Sequence, residues 1–432
     1  MALTINLKVV PARYEGVVPQ TRKDRLDICL LSYRSNPHCG GQGVYLKNLA
    51  GGLSDLGHPV TVISGPPGPE IPSGIPTHSL FGLDLYNPDD PFRTPTLREL
   101  TDPVNLMEWF GVITGGFPEP FTFGIRARRL LARLSHPFDI IHDNQGLSYG
   151  IHAIGKRWPL VATIHHPITV DRDIAVKNGA SFIQKVQQLR WHSFLGMQKR
   201  VARSLTRIIT VSLSARDDIA AQFGIDPERF AVIPNGVDTS LFRPLSDVHR
   251  QKNRVITINS ADVPLKGLGY LLQAVAALTH RRKIRLIIIG APKKNSTITR
   301  LIRRLGIGDQ VRFTGRIDNT AFIREYNRAS VAVVPSVYEG FGLPAAEAMA
   351  CAVPVISTTG GALPEVVGSA GILVPPADAG ALARALDDLL DDGNRMDDLG
   401  QAGYQRVRCH FSWEQVARQT AAVYKEVIRD YC

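Results

Sequence analysis

Residues 336–358 read SVYEGFGLPAAEAMACAVPVIST, and they are more informative than any other stretch of the chain. An apolar strand, Val331 to Pro335, runs into a turn with two glycines. A short helix follows, and a second apolar strand, Pro354 to Ser357, comes directly after it. Pro344 suits the first turn of that helix, where its missing N–H is no loss. Strand, turn, helix and strand in this order predict two parallel strands joined by a right-handed crossover.

The turn and the first helical residues predict a seat for an anion. The free N–H groups of a first helical turn point back at the loop, and the helix dipole favours negative charge there. Gly340 and Gly342 remove side chains that would keep a ligand from the backbone. Glu339 and Glu347 bracket the seat, and carboxylates suit this place if they accept hydrogen bonds from neutral hydroxyls. The pattern therefore predicts a ligand with a central diphosphate and a hydroxylated sugar at each end. The alternative is an ordinary crossover of a parallel sheet, with a glutamate on its solvent face.

Several motifs resemble one enzyme family. The two glutamates have the E-x7-E spacing of nucleotide-sugar glycosyltransferases of the GT-B fold, and the surrounding residues resemble the retaining glycosyltransferase family 4. Four further motifs agree and follow one another along nearly the whole chain: GGQG at 40–43, VIPNGVDTSLFRP at 232–244, VRFTGRI at 311–317 and GGALPEVV at 360–367. The resemblance implies an α/β protein of GT-B architecture, with two Rossmann-like domains whose parallel sheets face each other across a cleft.

Length and charge agree with such a protein. The 432 residues suffice for two domains with full cores, and no apolar run approaches the ~20 residues of a membrane span. Residues 266–328 hold fourteen Lys and Arg against three Asp and Glu, which equals the whole net charge of +11. Such a field favours anionic ligands, an anionic membrane surface or nucleic acid, but no motif of nucleic-acid binding accompanies it. For most of these residues the preferred interpretation is a solvated face of a crossover helix, and Lys266 is the exception. The five cysteines form no C-x-x-C pair, which is typical of a protein in the reducing cytoplasm. The inner face of the plasma membrane is a second expected location.

Alternating strands and helices predict three parts of the chain. Residues 1–245 form an acceptor-side domain, residues 250–410 a donor-binding domain, and residues 411–432 a helix that packs back on the first domain, as it does in GT-B proteins. Residues 65–124, rich in proline and aromatic side chains, interrupt the pattern and predict a functional segment or a lid. A long basic amphipathic helix is predicted from Ser181 to Leu205.

The resemblance implies roles for the donor-side residues. Glu339 would contact hydroxyls of the donor sugar, and Glu347 those of the ribose. Lys266 would neutralise the diphosphate as it leaves, which places it with Glu339 and His165 among the catalytic residues; the alternative is a solvated lysine at a helix start. The expected donor-binding residues are Gly41, Gly43, Lys266, Arg316, Gly340, Phe341, Gly342, Leu343 and Glu347.

One position departs from the family pattern. The family usually has an arginine six residues before the lysine, and here that position is Ser260. Arg316 could supply the second cation, although the family pattern places its loop near the nucleobase. We expect donor binding to rest on Lys266 and the helix terminus.

Three residues of the first half are candidates for the facing wall of the cleft. His165, in the sequence TIHHP, matches the active-site histidine of the family, which would hydrogen-bond the donor sugar near the reacting carbon. The alternative is a structural histidine at a strand end. His142 and Asn144 end another strand and are candidates for the acceptor side.

No metal and no other cofactor is expected. Asp171 and Asp173 spell D-x-D, the metal-diphosphate signature of another glycosyltransferase architecture, but in this setting a solvated turn is the preferred interpretation. The resemblance implies retention of anomeric configuration by a front-face displacement that the leaving diphosphate assists.

The sequence leaves the identity of the acceptor open. The hydroxyl that receives the sugar could belong to a glycan, a glycolipid or a small molecule. Residues 65–124 and the helix after Ser181 could dock on an anionic bilayer, or could cover a small sugar acceptor. The main hypothesis is a retaining, metal-independent hexosyltransferase. The alternative from another class is a noncatalytic nucleotide-sugar-binding protein of the same fold, which Ser260 favours. An epimerase or phosphorylase of this fold is less supported by the motifs.

Overall fold

The computed structural model describes residues 25–35, 41–87, 90, 92–134, 137–177, 181–258, 263–292 and 296–431. Within them, strands and helices alternate along both halves of the chain. The strands are β1 Ile28–Ser32, β2 Val60–Ser64, β3 Thr77–Ser79, β4 Ile140–Asn144, β5 Leu160–Ile164, β6 Ile208–Thr210, β7 Phe230–Val232, β8 Arg254–Ile258, β9 Arg285–Ile289, β10 Val311–Phe313, β11 Val331–Val334, β12 Val355–Thr358 and β13 Ile372–Val374.

The helices cover the two faces of the sheets. They are α1 Gly41–Asp55, α2 Pro103–Ile113, α3 Glu119–Leu131, α4 Tyr149–Ile154, α5 Ile168–Lys177, α6 Phe182–Trp191, α7 Leu195–Ser204, α8 Leu213–Phe223, α9 Leu268–Ala277, α10 Thr297–Leu305, α11 Asn319–Arg328, α12 Leu343–Ala350, α13 Leu363–Val367, α14 Ala379–Asp391, α15 Gly393–His410 and α16 Trp413–Tyr431. Many of these helices have an N-cap residue whose side chain accepts a hydrogen bond from a backbone N–H of the first turn. Serine and aspartate are preferred at this position. These caps include Ser148, Ser181, Ser212, Ser296, Asp318 and Asp378.

Two parallel sheets confirm the predicted α/β architecture. The first has the order β3-β2-β1-β4-β5-β6-β7 and the second the order β10-β9-β8-β11-β12-β13, with parallel pairing throughout. The strand order reverses between β1 and β4 in the first sheet and between β8 and β11 in the second. Parallel α/β sheets bind ligands at the carboxyl ends of the strands beside such a reversal, so these two points locate the site.

The cores explain why the strands read as apolar runs. All five residues of β1, β4 and β5 are buried, because helices cover both faces of a parallel sheet. The final helix, α16, returns to the first sheet and packs on α1, with Tyr424 among its fully buried side chains. The sheets divide between β7 and β8, and the boundaries 1–245, 250–410 and 411–432 stay a prediction.

Two local predictions were wrong. The helix expected from Ser181 to Leu205 is broken into α6 and α7 by a 3₁₀ turn at His192–Phe194. The break lets Trp191 and Phe194 both pack on Phe117, with ring centroids 5.2 and 5.4 Å apart. The D-x-D motif, expected in a turn, lies within α5. Its Asp171 is 2.8 Å from Nε2 of His166, which precedes the helix.

The described residues of the segment 65–124 pack through aromatic side chains, both with one another and with α6. It contains β3 and α2, and Tyr86 packs against Phe92, Phe117 and Trp191. Over the part of the chain that the structure describes, none of the helices combines the length and the apolar character needed to cross a bilayer.

Candidate functional site

One wall of the candidate site is built where β8 and β11 end. β11 ends at Val334, and the loop that follows turns into α12 at Gly342, whose φ of +106° suits glycine. A side chain there would also collide with Leu363, since a Cβ would lie 2.7 Å from its Cδ2. Pro344 occupies the first turn of α12, as predicted. Phe341 is buried and packs edge-on against Phe411, and this contact anchors the loop to the core.

A second loop closes on the first from β8. It carries Lys266 in a 3₁₀ turn, Pro264–Lys266, and Gly267 follows with φ of +66°. A Cβ on Gly267 would lie 1.9 Å from the carbonyl oxygen of Pro335, so only glycine allows this approach. The Val337 N–H donates to the carbonyl oxygen of Leu265 at 2.7 Å, which joins the two loops.

Lys266 and Glu339 meet between these loops. The Lys266 Nζ donates to Glu339 Oε1 at 2.6 Å, and the Ser336 hydroxyl donates to the same oxygen at 2.8 Å. Together with Thr257 and Pro344, they line a cavity of about 420 Å³ that opens to solvent. The cavity therefore sits at the strand-order reversal of the second sheet, and it holds a cation beside a carboxylate.

Glu347 lies one turn into α12, where its surroundings differ from those of Glu339. The Tyr326 hydroxyl is 3.1 Å from the Pro344 carbonyl oxygen and 3.4 Å from Glu347 Oε2. Burial raises the pKa of the Glu347 carboxyl to about 8, with the Tyr326 hydrogen bond acting the other way. At neutral pH the carboxyl is therefore mostly protonated in the absence of ligand.

The facing wall comes from the first sheet. The Asn144 amide donates to the carbonyl oxygen of Gln42 at 3.2 Å and to the Ser32 hydroxyl at 3.4 Å, so its oxygen faces His165. His165 Nε2 lies 2.8 Å from that oxygen and therefore carries the ring proton. Burial lowers the pKa of His165 to about 3, so the imidazole is neutral, with Nδ1 as a hydrogen-bond acceptor.

The two walls touch at small residues. A Cβ on Gly340 would lie 2.6 Å from the carbonyl oxygen of His165, and a Cβ on Gly41 would lie 3.7 Å from Leu343 Cδ1. Gly41 is the first residue of α1 and Leu343 the first of α12, so the N-termini of these two helices lie close together. Each carries roughly half a positive charge, and together they favour an anion between them.

Three cross-cleft contacts were missed by sequence reasoning. The Ser212 hydroxyl donates to the Gly340 carbonyl oxygen, and the Tyr338 hydroxyl to Asp218, both at 2.7 Å. The Glu365 carboxylate accepts from the first two N–H groups of α8, those of Leu213 and Ser214, at 2.7 Å each. We call these contacts the α8 clasp. The GGALPE motif indicated a functional region, but the local sequence could not predict that its glutamate, Glu365, binds the start of α8.

The remaining predicted residues differ in where they lie. His142 was wrongly expected to face the cleft: it is buried, 2.5 Å from the Tyr424 hydroxyl and 2.7 Å from that of Thr163. Asn144 supports His165 and is itself 2% exposed. Arg316 is exposed beyond β10, with β9 between that strand and the cavity, and Gly43 is buried in α1. Their ligand contacts stay predictions. Gly40 and Ser260 lie outside the described residues.

A cluster of metal ligands does not occur in the described ranges, where no three His, Cys, Asp or Glu side chains are arranged to hold an ion. Asp171 bonds to His166 and Asp173 to Arg172, so the two carboxylates of the D-x-D motif have separate partners. The positive charge of the site comes instead from Lys266 and the helix N-termini.

Comparison with known families gives two matches that together span both sheets. The model described as Glycosyltransferase Family 4 matches residues 39–241, and that described as Glycosyl transferases group 1 matches residues 246–406. The chain is also similar to an MMP α-(1→4)-mannosyltransferase of Mycolicibacterium hassiacum. They share 45% identity over 406 residues, which is 93% of this chain and 98% of the relative.

Two further similarities extend over most of the chain. A D-inositol 3-phosphate glycosyltransferase 2 of Catenulispora acidiphila is 29% identical over 439 residues, covering 93% of this chain and 95% of that protein. The solved structure of a sucrose-phosphate synthase from Thermosynechococcus elongatus superposes with a TM-score of 0.73 at 25% identity. The superposition covers 94% of this chain and 100% of the synthase chain.

Proposed function

The chain belongs to glycosyltransferase family 4, among the group 1 glycosyl transferases, and on this basis we propose that it is a retaining mannosyltransferase. As a glycosyltransferase it uses a nucleotide sugar. We propose that it moves a mannosyl unit from a nucleotide-diphosphate sugar to a glycan hydroxyl and forms an α-(1→4) bond. The observation that carries the proposal is the Lys266–Glu339 pair, which lines one cavity with Pro344 of the first turn of α12, at the strand-order reversal of the second sheet. The choice of mannose and of the bond is supported by the 45% identical relative.

Binding follows from where charge and hydroxyl partners lie. The diphosphate takes the space between the N-termini of α1 and α12, where N–H groups and helix dipoles favour it. Lys266 has three N–H donors, so it can keep Glu339 while it bonds a phosphate oxygen. Glu339 then accepts from the hydroxyls of the transferred sugar, and Glu347 from those of the ribose.

Transfer needs the diphosphate to leave with both electrons of its bond to the sugar. Lys266 and the facing helix ends stabilise the negative charge that grows on the leaving oxygen, and they are already in place before the reaction. The acceptor hydroxyl attacks the same face and gives its proton to the departing phosphate oxygen. His165, neutral and held by Asn144, accepts a hydrogen bond at Nδ1 from a sugar hydroxyl near the reacting carbon.

A metal is not part of this proposal, because Lys266 and the helix N-termini supply the positive charge. We expect activity in the presence of a chelator to equal that without it. Loss of transfer with the chelator and its recovery with magnesium would contradict this.

The experiment is to incubate the protein with mannose and glucose esters of guanosine, uridine and adenosine diphosphate, each with an α-(1→4)-linked mannoside. We expect one mannose nucleotide to support transfer, and NMR of the product to show a new α-(1→4) bond. A β bond would contradict retention. A bound nucleotide sugar that neither transfers nor hydrolyses would favour the noncatalytic alternative.

We also propose that the enzyme, in the cytoplasm, binds an anionic membrane surface. Apolar side chains of α2 and α6 are exposed, and the Arg190 guanidinium joins the two helices by donating to the Thr114 hydroxyl at 2.7 Å. Lys185 and Arg190 add positive charge beside them. The exposed apolar residues are Leu106, Met107, Phe110, Ile113, Phe182, Ile183, Val186 and Leu189.

Sedimentation with vesicles tests this surface. At low salt we expect binding to vesicles with phosphatidylglycerol and not to neutral ones, and we expect Phe182→Ser with Ile183→Ser to weaken it. Leu97→Ser, at another exposed leucine, is the matched control. No binding to the anionic vesicles would contradict a membrane-bound enzyme and leave a soluble acceptor.

A further inference from the structure

Four polar side chains lie between the first sheet and the helices α1 and α16, within a large cluster of buried apolar residues. They are buried, and they belong to Tyr45 on α1, His142 on β4, Thr163 on β5 and Tyr424 on α16. Apolar side chains would fill this layer at lower cost if packing were its sole requirement, because buried polar groups must find partners. We call these four side chains the His142 network.

Hydrogen bonds join the network from end to end. Nδ1 of His142 is 2.5 Å from the Tyr424 hydroxyl, and Nε2 is 2.7 Å from that of Thr163. The Thr163 hydroxyl is in turn 3.0 Å from the hydroxyl of Tyr45. Burial lowers the pKa of His142 to about 3, so its imidazole is neutral and carries one N–H. Since the buried Tyr424 hydroxyl donates to Nδ1, this N–H is on Nε2 and donates to Thr163.

Strand alternation places the network on the same face of the sheet as the site. His142 and Asn144 are two residues apart on β4, and so are Thr163 and His165 at the end of β5, so each pair points to one side. Asn144 and Thr163 are also paired in the register of the two strands. The network therefore lies beside the two residues that form the facing wall.

The network meets the site at the imidazole of His165. The rings of Tyr45 and His165 pack edge to face, with centroids 4.7 Å apart and an angle of 83° between their planes. Asn144 fixes one atom of the same imidazole, through the 2.8 Å contact at Nε2. A ring held at one atom can still turn about that bond, whereas a second ring packed against it restricts the rotation. Packing of this kind locks the rotamer of a functional side chain.

Helix α16 supports this arrangement at two places. Trp413, its first residue, packs on the ring of Tyr45 with centroids 5.9 Å apart, and Tyr424, about three turns further along, bonds His142. Gly236 makes room for the indole, because a Cβ there would lie 2.7 Å from the Trp413 ring. The last helix of the chain is thereby connected to His165.

We propose that the His142 network positions the imidazole of His165, so that its Nδ1 meets a hydroxyl of the donor sugar at the correct angle. The inference rests on the proposed transferase function and deepens it. It gives His142 a role in positioning instead of one in acceptor binding, and it makes α16 a part of the site. The residues of the network act through His165 and not on the ligand.

Thr163→Val and Thr163→Ser test the centre of the network. Valine has nearly the shape of threonine but no hydroxyl, so it separates His142 from Tyr45, whereas serine keeps the hydroxyl. We expect kcat of Thr163→Val to fall about tenfold, less than the ~10²-fold that a misplacement of 1 Å can cost. The KM for the nucleotide sugar should stay nearly unchanged, and Thr163→Ser should keep most of the activity. Equal kcat values for the two variants would overturn the proposal.

Thr420→Val is the matched control. Thr420 is buried on α16, one turn before Tyr424, and its hydroxyl has no hydrogen-bond partner among the described residues. The same substitution there removes a buried hydroxyl and leaves the network intact, so kcat should not change. A fall in kcat as large as that of Thr163→Val would mean a general loosening of the core, and would overturn the positioning role.

A double-variant cycle separates positioning from support of the fold. If Thr163 acts through His165, Thr163→Val should have no further effect on kcat in a protein that already carries His165→Ala. An equal fold-loss in both backgrounds would contradict the proposal. In case Thr163→Val unfolds, Tyr424→Phe, which removes one oxygen at the far end of the network, is put through the same cycle.

NMR of the protein labelled with ¹⁵N-histidine tests the positioning without turnover, and His165→Ala identifies the signals. We expect His165 to carry its proton on Nε2, and its nitrogen shifts to change in Thr163→Val but not in Thr420→Val. Unchanged His165 signals in Thr163→Val would overturn the proposal. Absence of transfer by the unaltered protein with every donor would instead overturn the proposed function, and the spectra would still decide whether the network positions His165.

Discussion

Lys266 and Glu339 hold each other in the donor cavity before any ligand is bound. Their 2.6 Å pair keeps the ammonium group where a diphosphate would arrive, and Ser336 keeps the carboxylate in place. A fixed cation of this kind needs no rearrangement when charge develops on a leaving group, and we propose that Lys266 contributes to the rate in this way.

Replacing Lys266 with alanine tests this cation. We expect kcat/KM to fall by roughly 10²- to 10³-fold, as is typical when one preorganised group that stabilises developing charge is removed. Steady-state kinetics with the best nucleotide sugar measure it. Lys283→Ala, at an exposed lysine after α9, is the control and should retain full activity. Near-normal turnover of Lys266→Ala would contradict the role of the ammonium group.

Glu347 gives the donor site a pH dependence with a definite sign. Its pKa of about 8 means that the Glu347 carboxyl of the ligand-free enzyme is mostly protonated at pH 7. Two ribose hydroxyls, in contrast, need the ionised carboxylate as their acceptor. Binding must therefore remove the proton, and affinity should rise as pH rises. Between pH 7 and pH 9 we expect the donor Kd to fall roughly tenfold, as a single group of this pKa requires.

Calorimetric titration of the nucleotide sugar at several pH values measures this change. Glu347→Gln has no proton to lose, so its donor Kd should be weaker and nearly independent of pH over the same range. If the variant keeps the slope of the unaltered enzyme, another group is responsible.

At the scale of elements, the α8 clasp joins the donor loop to the opposite sheet. Helix α8 follows β6, and its first N–H groups have no acceptor within the helix. Glu365 satisfies two of them from α13, while Ser212 and Asp218 hold the residues on either side of Glu339. We propose that the clasp thereby holds the Glu339 loop at a fixed distance from the first sheet.

Glu365→Ala should loosen this contact without altering the donor cavity itself. Bonds to a charged group contribute about 1.5 to 3 kcal/mol each, but water replaces part of this once the cleft opens. We therefore expect kcat to fall about tenfold with a much smaller change in donor Kd, and faster hydrogen exchange at the start of α8.

Glu365→Gln is the matched variant, because one oxygen still accepts a hydrogen bond. It should be intermediate in both kcat and exchange. Equal exchange in all three proteins would mean that the clasp is not formed in solution.

Elements built from local signals could be predicted from the sequence. The loop at 336–358 works through glycine, proline and a helix start, all within a few residues, and the structure has them as expected. Lys266 and Glu339 are 73 positions apart, yet strand alternation brings β8 and β11 side by side.

Long-range partners could not be predicted. His142 forms a buried hydrogen bond with Tyr424, which is 282 positions away in the sequence and lies on α16, the helix that packs on the first sheet. The breaking of the predicted helix at His192 depends likewise on Phe117, which lies in another segment. The partners of Glu365 are 151 and 152 positions away. Such contacts depend on tertiary packing, which the periodicity of apolar residues in the sequence does not predict.

On the scale of the whole molecule, the strand-order reversals of two sheets meet at one cleft. One contributes Ser32, Asn144 and the start of α1, and the other contributes Lys266, Glu339 and the start of α12. In the proposed site, neither sheet alone supplies both the diphosphate seat and the wall for the transferred sugar. The return of α16 ties the chain end to the first sheet.

The most direct measurement is a crystal structure with the best nucleotide sugar bound. We predict the diphosphate between the first residues of α1 and α12, with Lys266 Nζ on a phosphate oxygen, Glu339 on the hydroxyls of the transferred sugar and Glu347 on the ribose. A ligand bound elsewhere, or a diphosphate without contact to Lys266 and with both glutamates turned away from it, would contradict the proposed donor site.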